Sequence, residues 1–181
     1  SNHMIVENLI NNAGFGNADA YLDTPWELQK NMVDINVVAL MHLSHLYGKE
    51  MKKRRKGRIL NVASVAAFSA GPYMSVYYAS KAFVFSLSQA MYEELKGYGV
   101  SVTALCPGPT GTNFENTAGL TNSKMFKVFG VEKADSVVKR GYKGMMRGKA
   151  IVYHSKVTYG FNIITRLVSR KCARNIAGRI N

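Results

Sequence analysis

The sequence predicts an α/β domain with a parallel sheet, and three observations carry that prediction. Short apolar runs alternate along the chain with longer amphipathic segments, as strands joined by crossover helices do. The 181 residues suffice for one domain with a sizeable core. Hydrophobic residues make up 47 % and charged residues 19 %, an ordinary globular balance.

The elements follow in order. ENLINNAG (Glu7–Gly14) reads as a buried strand running into a turn. Thr24 is a candidate N-cap and Pro25 a first helical residue. The helix Pro25–Met51 follows, striped by Leu28, Met32, Ile35, Ala39 and Leu43. GRILNVAS (Gly57–Ser64) is a second strand, and Val76–Lys96 a second long helix. GVSVTALCPG (Gly99–Gly108), rich in β-branched residues, is a third strand ending in Pro-Gly. Asn113–Phe129 is irregular and reads as a lid, Glu132–Met146 as a helix, and AIVYH (Ala150–His154) as a fourth strand.

The tail from Val157 to Ile180 reads as one or two amphipathic helices. Phe161, Ile164, Val168, Cys172 and Ile176 form an apolar stripe, and Arg166, Arg170 and Arg174 line another face. That pattern fits a helix packed on the sheet with a solvated basic side. It also fits a surface that meets a membrane or an acidic partner.

The net charge of +13 is unevenly placed. Residues 136–181 hold 11 of the 24 Lys and Arg and none of the 11 Asp and Glu. The basic run Lys52–Arg58 ends a helix, where it meets the last carbonyls and the negative pole of the helix dipole. No zinc-finger spacing or RNA-binding aromatic signature accompanies these clusters, so nucleic acid is not an expected partner. Cys106 and Cys172 lie far apart with no CxxC pairing, which points away from zinc or a disulfide framework. His42 and His45 lack a third ligand at suitable spacing, so no metal is expected. No apolar run reaches the length of a membrane span and no secretory leader is visible; a reducing, cytoplasmic setting is expected.

In SVYYASKAF (Ser75–Phe83), Lys81 follows Tyr77 by four residues, one helical turn, so both side chains share a face. An ammonium beside a phenol favours the phenolate and predicts a lowered tyrosine pKa, suited to proton transfer near neutral pH. By spacing alone the pair also reads as a surface contact. Ser64 lies thirteen residues upstream, at the end of the second strand. Active sites in open α/β sheets gather outside the carboxyl ends of the strands, where Ser64 and NNAG both fall.

At these residues the chain resembles the short-chain dehydrogenase/reductase family. Five matches occur in order: NNAG (Asn11–Gly14), Asn36 in DINVVAL, Ser64, YYASK (Tyr77–Lys81) and PGPTGT (Pro107–Thr112). The resemblance runs from about Val6 to His154, and the basic tail is similar to that of bacterial ketoacyl and hydroxysteroid reductase-like members. It implies a doubly wound Rossmann sheet and a hydride-transferring NAD(P)-dependent oxidoreductase. In that resemblance Tyr77 is the general acid in reduction and the general base in oxidation. Lys81 lowers its pKa and hydrogen-bonds the nicotinamide ribose, and Ser64 donates to the substrate carbonyl oxygen. Asn36 sits where its helix is locally distorted and holds a water in a proton relay to Lys81.

The implied cofactor is NADP or NAD. The resemblance assigns its contacts to Asn12, Ala13 and Gly14, to Tyr77 and Lys81, and to Pro107, Gly108, Thr110 and Thr112 beside the nicotinamide. The implied partners are a small apolar carbonyl or alcohol and a second copy, paired through the helices Pro25–Met51 and Val76–Lys96. A weak membrane-surface contact by the tail completes the set. One feature of the family is not present in this sequence: the opening strand, TGxxxGxG turn and helix on which the pyrophosphate rests. The sequence opens at what resembles the fourth strand. Residues 1–181 are therefore expected to form a single Rossmann-type domain without its first βαβαβ half, carrying a basic helical tail over 157–181. A non-catalytic remnant serving as a binding or assembly module stands as the alternative function.

Overall fold

The computed structural model describes residues 5–112, 114, 118 and 129–180. Strand β1 (Asn8–Asn11) leads through the NNAG turn to α1 (Trp26–Val33), a π-helical segment (Asp34–Ala39) and α2 (Leu40–Arg54). Pro25, at φ −55°, is itself the cap of α1, while the Thr24 hydroxyl donates to the Ala20 carbonyl (3.1 Å) rather than capping the helix. Arg55 ends α2 in the left-handed region at φ 54°. Its carbonyl would lie 2.4 Å from a Cβ at Gly99, which itself sits at φ +69°, so that turn requires glycine.

β2 (Gly57–Val62), a 3-10 turn (Val65–Phe68), α3 (Ser75–Leu95) and β3 (Val100–Cys106) follow. The segment expected to be a helix over Glu132–Met146 divides in two. Glu132–Lys133 is strand β5, paired in parallel with β4 (Thr110–Gly111), and only Ala134–Met146 is helical, as α4. Pairing with the Pro107–Thr112 loop holds those two residues extended. The lid expected at Asn113–Phe129 lies outside the described residues except for Phe114, Ala118 and Phe129. β6 (Ile151–Tyr153), α5 (Lys156–Leu167) and α6 (Arg170–Ile180) complete the chain.

The main sheet runs β1-β2-β3-β6, every pair parallel. Alternation along β2 explains why both faces are covered. Ile59 packs with Met51, Met91 and Leu95 of α2 and α3, whereas Leu60 packs with Val137 and Met145 of α4 on the other side. A buried polar ladder fixes β1 against β2: the Asn11 amide donates to Ser44 (3.0 Å) and Asn61 (2.8 Å), and Asn61 donates to Ser88 (2.9 Å). Each group is satisfied, so the ladder adds register without an orphaned dipole.

The tail forms two helices, but its inward face differs from the expected stripe. Thr158 and Asn162 of α5 and Ala173 and Ala177 of α6 are buried, while Ile164 and Ile176 are 53 % and 42 % exposed. The chain leaves helix at Val168 and restarts on Ser169, whose hydroxyl accepts from Cys172 N, so the helical phase resets between them. Asn162 faces inward because its amide donates to the Tyr153 hydroxyl at 2.7 Å. Among the described residues no helix is long and apolar enough to cross a membrane.

Candidate active site

The carboxyl ends of β1, β2 and β3 open onto a cleft of about 310 Å³. β2 delivers Ser64, which follows the strand and caps the 3-10 turn by accepting from Ala66 N at 3.1 Å. The first turn of α3 delivers Tyr77, and one turn later Lys81, to the same wall. All three side chains are buried and line one cleft, with the Ser64 hydroxyl on the same wall as the Tyr77 phenol. The expected convergence of serine and tyrosine is therefore present in the geometry.

The electrostatics differ from the simple spacing argument. Burial pushes the Tyr77 phenol up to about 12, with the neighbouring Ser64 hydroxyl pulling the other way. Lys81 does not offset this. Its ammonium stands 5.8 Å from the Tyr77 ring centroid and donates instead to the Val62 carbonyl at 2.9 Å. Burial also draws Lys81 down to about 8, because a charge in this setting loses its hydration. Desolvation outweighs charge proximity, and the lowered tyrosine pKa is not found.

Asn36 lies behind the cleft in the π-helical segment, fully buried. Its Oδ1 accepts from Phe15 N (3.0 Å), and its Nδ2 donates to Phe15 O (2.9 Å) and Ser80 Oγ (3.1 Å). The wider π turn carries it inward to brace the loop after NNAG. Gly14 is required there: a Cβ would fall 2.9 Å from Asn36 Oδ1 and 3.3 Å from Lys81 Nζ. Asn12, Gly14, Pro107, Gly108, Thr110 and Thr112 line the cleft, whereas Ala13 is exposed and does not.

Sequence reasoning missed two features. Phe114 packs against Tyr77 with the rings tilted at 44° and their centroids 5.3 Å apart, and it lines the same cleft. Glu132, buried behind Gly108, contacts His154 Nδ1, and His154 Nε2 meets Ser136 Oγ at 3.0 Å. With Glu132 N donating to Pro109 O (2.8 Å), this tie fastens the Pro107–Thr112 loop to the end of β6. No short spacing joins Glu132 to His154, so only the fold shows the pair.

A model of the short chain dehydrogenase family matches residues 2–123. The chain is 34 % identical over 118 residues to a probable oxidoreductase, EphD, of Mycobacterium tuberculosis, covering 65 % of this chain and 20 % of that protein. It is 35 % identical over 138 residues to mouse 17-beta-hydroxysteroid dehydrogenase type 3, covering 75 % of this chain and 42 % of that one. A solved short-chain dehydrogenase from Sphingobium yanoikuyae in complex with NADPH superposes at TM-score 0.76 and 27 % identity, over 89 % of this chain and 63 % of that one. The chain thus spans less than two-thirds of the length of each of these relatives.

Proposed function

The chain belongs to the short-chain dehydrogenase family, and on that premise we propose that it is the catalytic part of an NADP- or NAD-dependent oxidoreductase acting on a small apolar carbonyl or alcohol. The observation that carries the reading is the convergence of Ser64, Tyr77 and Lys81 on one cleft. Reduction of a carbonyl builds negative charge on oxygen, which calls for positioned donors and one proton. The bound nicotinamide supplies the hydride. Ser64 donates to the substrate oxygen, and Tyr77, protonated at neutral pH with its phenol at about 12, delivers the proton. Lys81 gives one N–H to Val62 and keeps two for ribose hydroxyls.

The residues present fit the nicotinamide end of such a cofactor. The cleft of about 310 Å³ sits at the low end of the roughly 300–1,000 Å³ usual for small-molecule sites, room for part of a dinucleotide. Asn12, Gly14, Pro107, Gly108, Thr110 and Thr112 would form its walls. The NADPH held by the Sphingobium relative supports NADP. Val65, Phe114, Val137 and Val138 line the same space and favour an apolar substrate. Asn36 acts as a positioning residue, holding Phe15 and through it the loop beside Lys81, and its water relay to Lys81 remains part of the reading.

The partners in this reading are a second copy and an anionic surface at the basic tail. Val38, Met41 and Leu46 of the first long helix are 45 %, 43 % and 50 % exposed, an apolar face that pairing would cover. One observation favours an assembly module instead: β1 is an edge strand of the described sheet, with Ile10 51 % exposed.

The test is NADPH consumption with a panel of apolar ketones, using the chain joined to a relative's glycine-rich cofactor-binding portion. Turnover that vanishes in Tyr77→Phe is expected. Equal turnover in that variant, or none with any ketone, overturns the reading.

A further inference from the structure

Helix α5 turns Thr158 and Asn162 inward. On its opposite side Tyr159, Ile163 and Leu167, four residues apart, are 53 %, 37 % and 81 % exposed. Val157 and Ile164 widen that stripe, at 51 % and 53 %. A helix packed on a sheet and solvated outside normally carries polar residues there, so this face calls for an apolar neighbour.

Its surroundings specify the neighbour's charge. Beside α5 lies a groove of about 930 Å³ that Lys156 and Tyr159 share with Lys139, Arg140 and Lys143 of α4 and with Arg147 just past its end, Asp135 being the one acid in the lining. From residue 136 to 181 the chain carries eleven cations and no acid. A second copy bringing the same face would set like charges together. An acidic soluble polypeptide would match the cations and leave the apolar stripe in water. A bilayer with anionic headgroups satisfies both, placing phosphates at the cations and the stripe at the acyl boundary.

We propose that α5 docks the protein on anionic membranes, its Tyr159–Ile163–Leu167 face entering the headgroup boundary and the cations of α4 gripping lipid phosphates. This deepens the reading of the basic tail above and stands apart from the reductase assignment, which vesicle binding leaves untouched.

Co-sedimentation of the chain with phosphatidylcholine vesicles, and with vesicles containing phosphatidylglycerol, tests it. Binding to the anionic vesicles alone is expected, weakening as salt rises from ~0.1 M to ~1 M and the screening length shrinks from about 10 Å to about 3 Å. The double variant Ile163→Asp/Leu167→Asp should bind about tenfold or more weakly. Leu167 is 81 % exposed and Ile163 37 %, so any fall in the double variant's melting temperature should be a few degrees, and retained helical circular dichroism shows that the variant is folded. Lys143→Glu/Arg147→Glu should erase the preference for anionic lipid. Equal binding to neutral and anionic vesicles, or binding to neither, overturns the proposal. So does a self-association lost in the double Asp variant, which gives the face to a second copy. Soluble polyglutamate held as tightly as vesicles, with the Asp variant unaffected, would give it to an acidic polypeptide.

Discussion

Asn36 grips both backbone polar groups of Phe15: Oδ1 accepts from the amide at 3.0 Å and Nδ2 donates to the carbonyl at 2.9 Å. The contact bridges 21 residues of sequence and joins the π-helical turn to the loop after NNAG. Only an amide side chain offers donor and acceptor in that arrangement. Asn36→Ala should lower stability by about 2–3 kcal/mol, since it orphans two buried backbone groups. Asn36→Asp should cost at least as much, because a carboxylate oxygen would face the Phe15 carbonyl. Urea denaturation of the two variants checks the order.

Ser64 and Tyr77 should separate by their effects on rate. Tyr77→Phe removes the proposed proton donor and should abolish reduction, while leaving cofactor affinity within a few-fold. Ser64→Ala removes one donor to the developing oxyanion and should lower kcat by about 10²–10³-fold, the usual range for losing one such donor. Single-turnover kinetics on the cofactor-competent protein distinguish the two. Comparable small losses in both variants would mean the pair is structural.

Much of this site was legible in the sequence because its parts are local. The four-residue step from Tyr77 to Lys81 fixes a shared helical face, and Ser64 falls at the end of the second predicted strand. The four parallel strands were equally plain as apolar runs between amphipathic segments. What the sequence hid depends on long-range packing. The phenol's raised pKa comes from how completely Tyr77 is buried, which no spacing reports. The Glu132–His154 tie joins residues on two separate elements. The tail's inward face was misread because the break at Val168 resets a periodicity that looks continuous in the sequence.

Lys81 makes stability depend on pH, and the sign can be worked out. Its folded pKa of about 8 lies below the usual 10.5, so between those values the unfolded chain binds more protons and stability rises with pH. Tyr77 acts oppositely above pH 10, where the unfolded phenol ionises and the buried one, at about 12, does not. Buried Cys106, its thiol held well above the usual 9.0 by burial, opposes Lys81 from about pH 9 upward, so the chain without cofactor should gain stability from about pH 8 to about pH 9, level off, and lose stability beyond about pH 10. Lys81→Met should flatten the rise and stabilise the chain at pH 7 by about 1–2 kcal/mol, the relieved desolvation less the unpaired Val62 carbonyl. Chemical denaturation across that pH range reads it directly; a Met variant less stable at pH 7 would contradict it.

The exposed face of the first long helix predicts self-association. Val38 and Met41 are 45 % and 43 % exposed, beside an apolar groove of about 450 Å³ between Val33, Val37, Val76 and Phe83. Light scattering at micromolar concentration should find a dimer, and Val38→Glu/Met41→Glu should find a monomer with unchanged helix content. A wild-type monomer would leave that face without its proposed partner.

The last prediction concerns cofactor affinity of the 181-residue chain by itself. A dinucleotide takes much of its binding energy from a pyrophosphate held by backbone N–H groups at a glycine-rich helix start. Among the described residues the strand beside the cleft, β1, runs through NNAG into irregular chain, and the next helix begins only at Trp26. In the proposed reading the cleft takes the nicotinamide end of the cofactor, and among the described residues no glycine-rich helix start stands beside it to hold the pyrophosphate. Three or four charge-assisted hydrogen bonds at about 1.5–3 kcal/mol each amount to at least a thousandfold in affinity. Calorimetry should find NADPH binding weaker than about millimolar for the chain alone. Joining it to a relative's strand, TGxxxGxG turn and helix should restore both binding and turnover, with Tyr77→Phe losing only the turnover. Micromolar binding by the chain alone would show that the Pro107–Thr112 loop and Lys81 suffice to hold the cofactor.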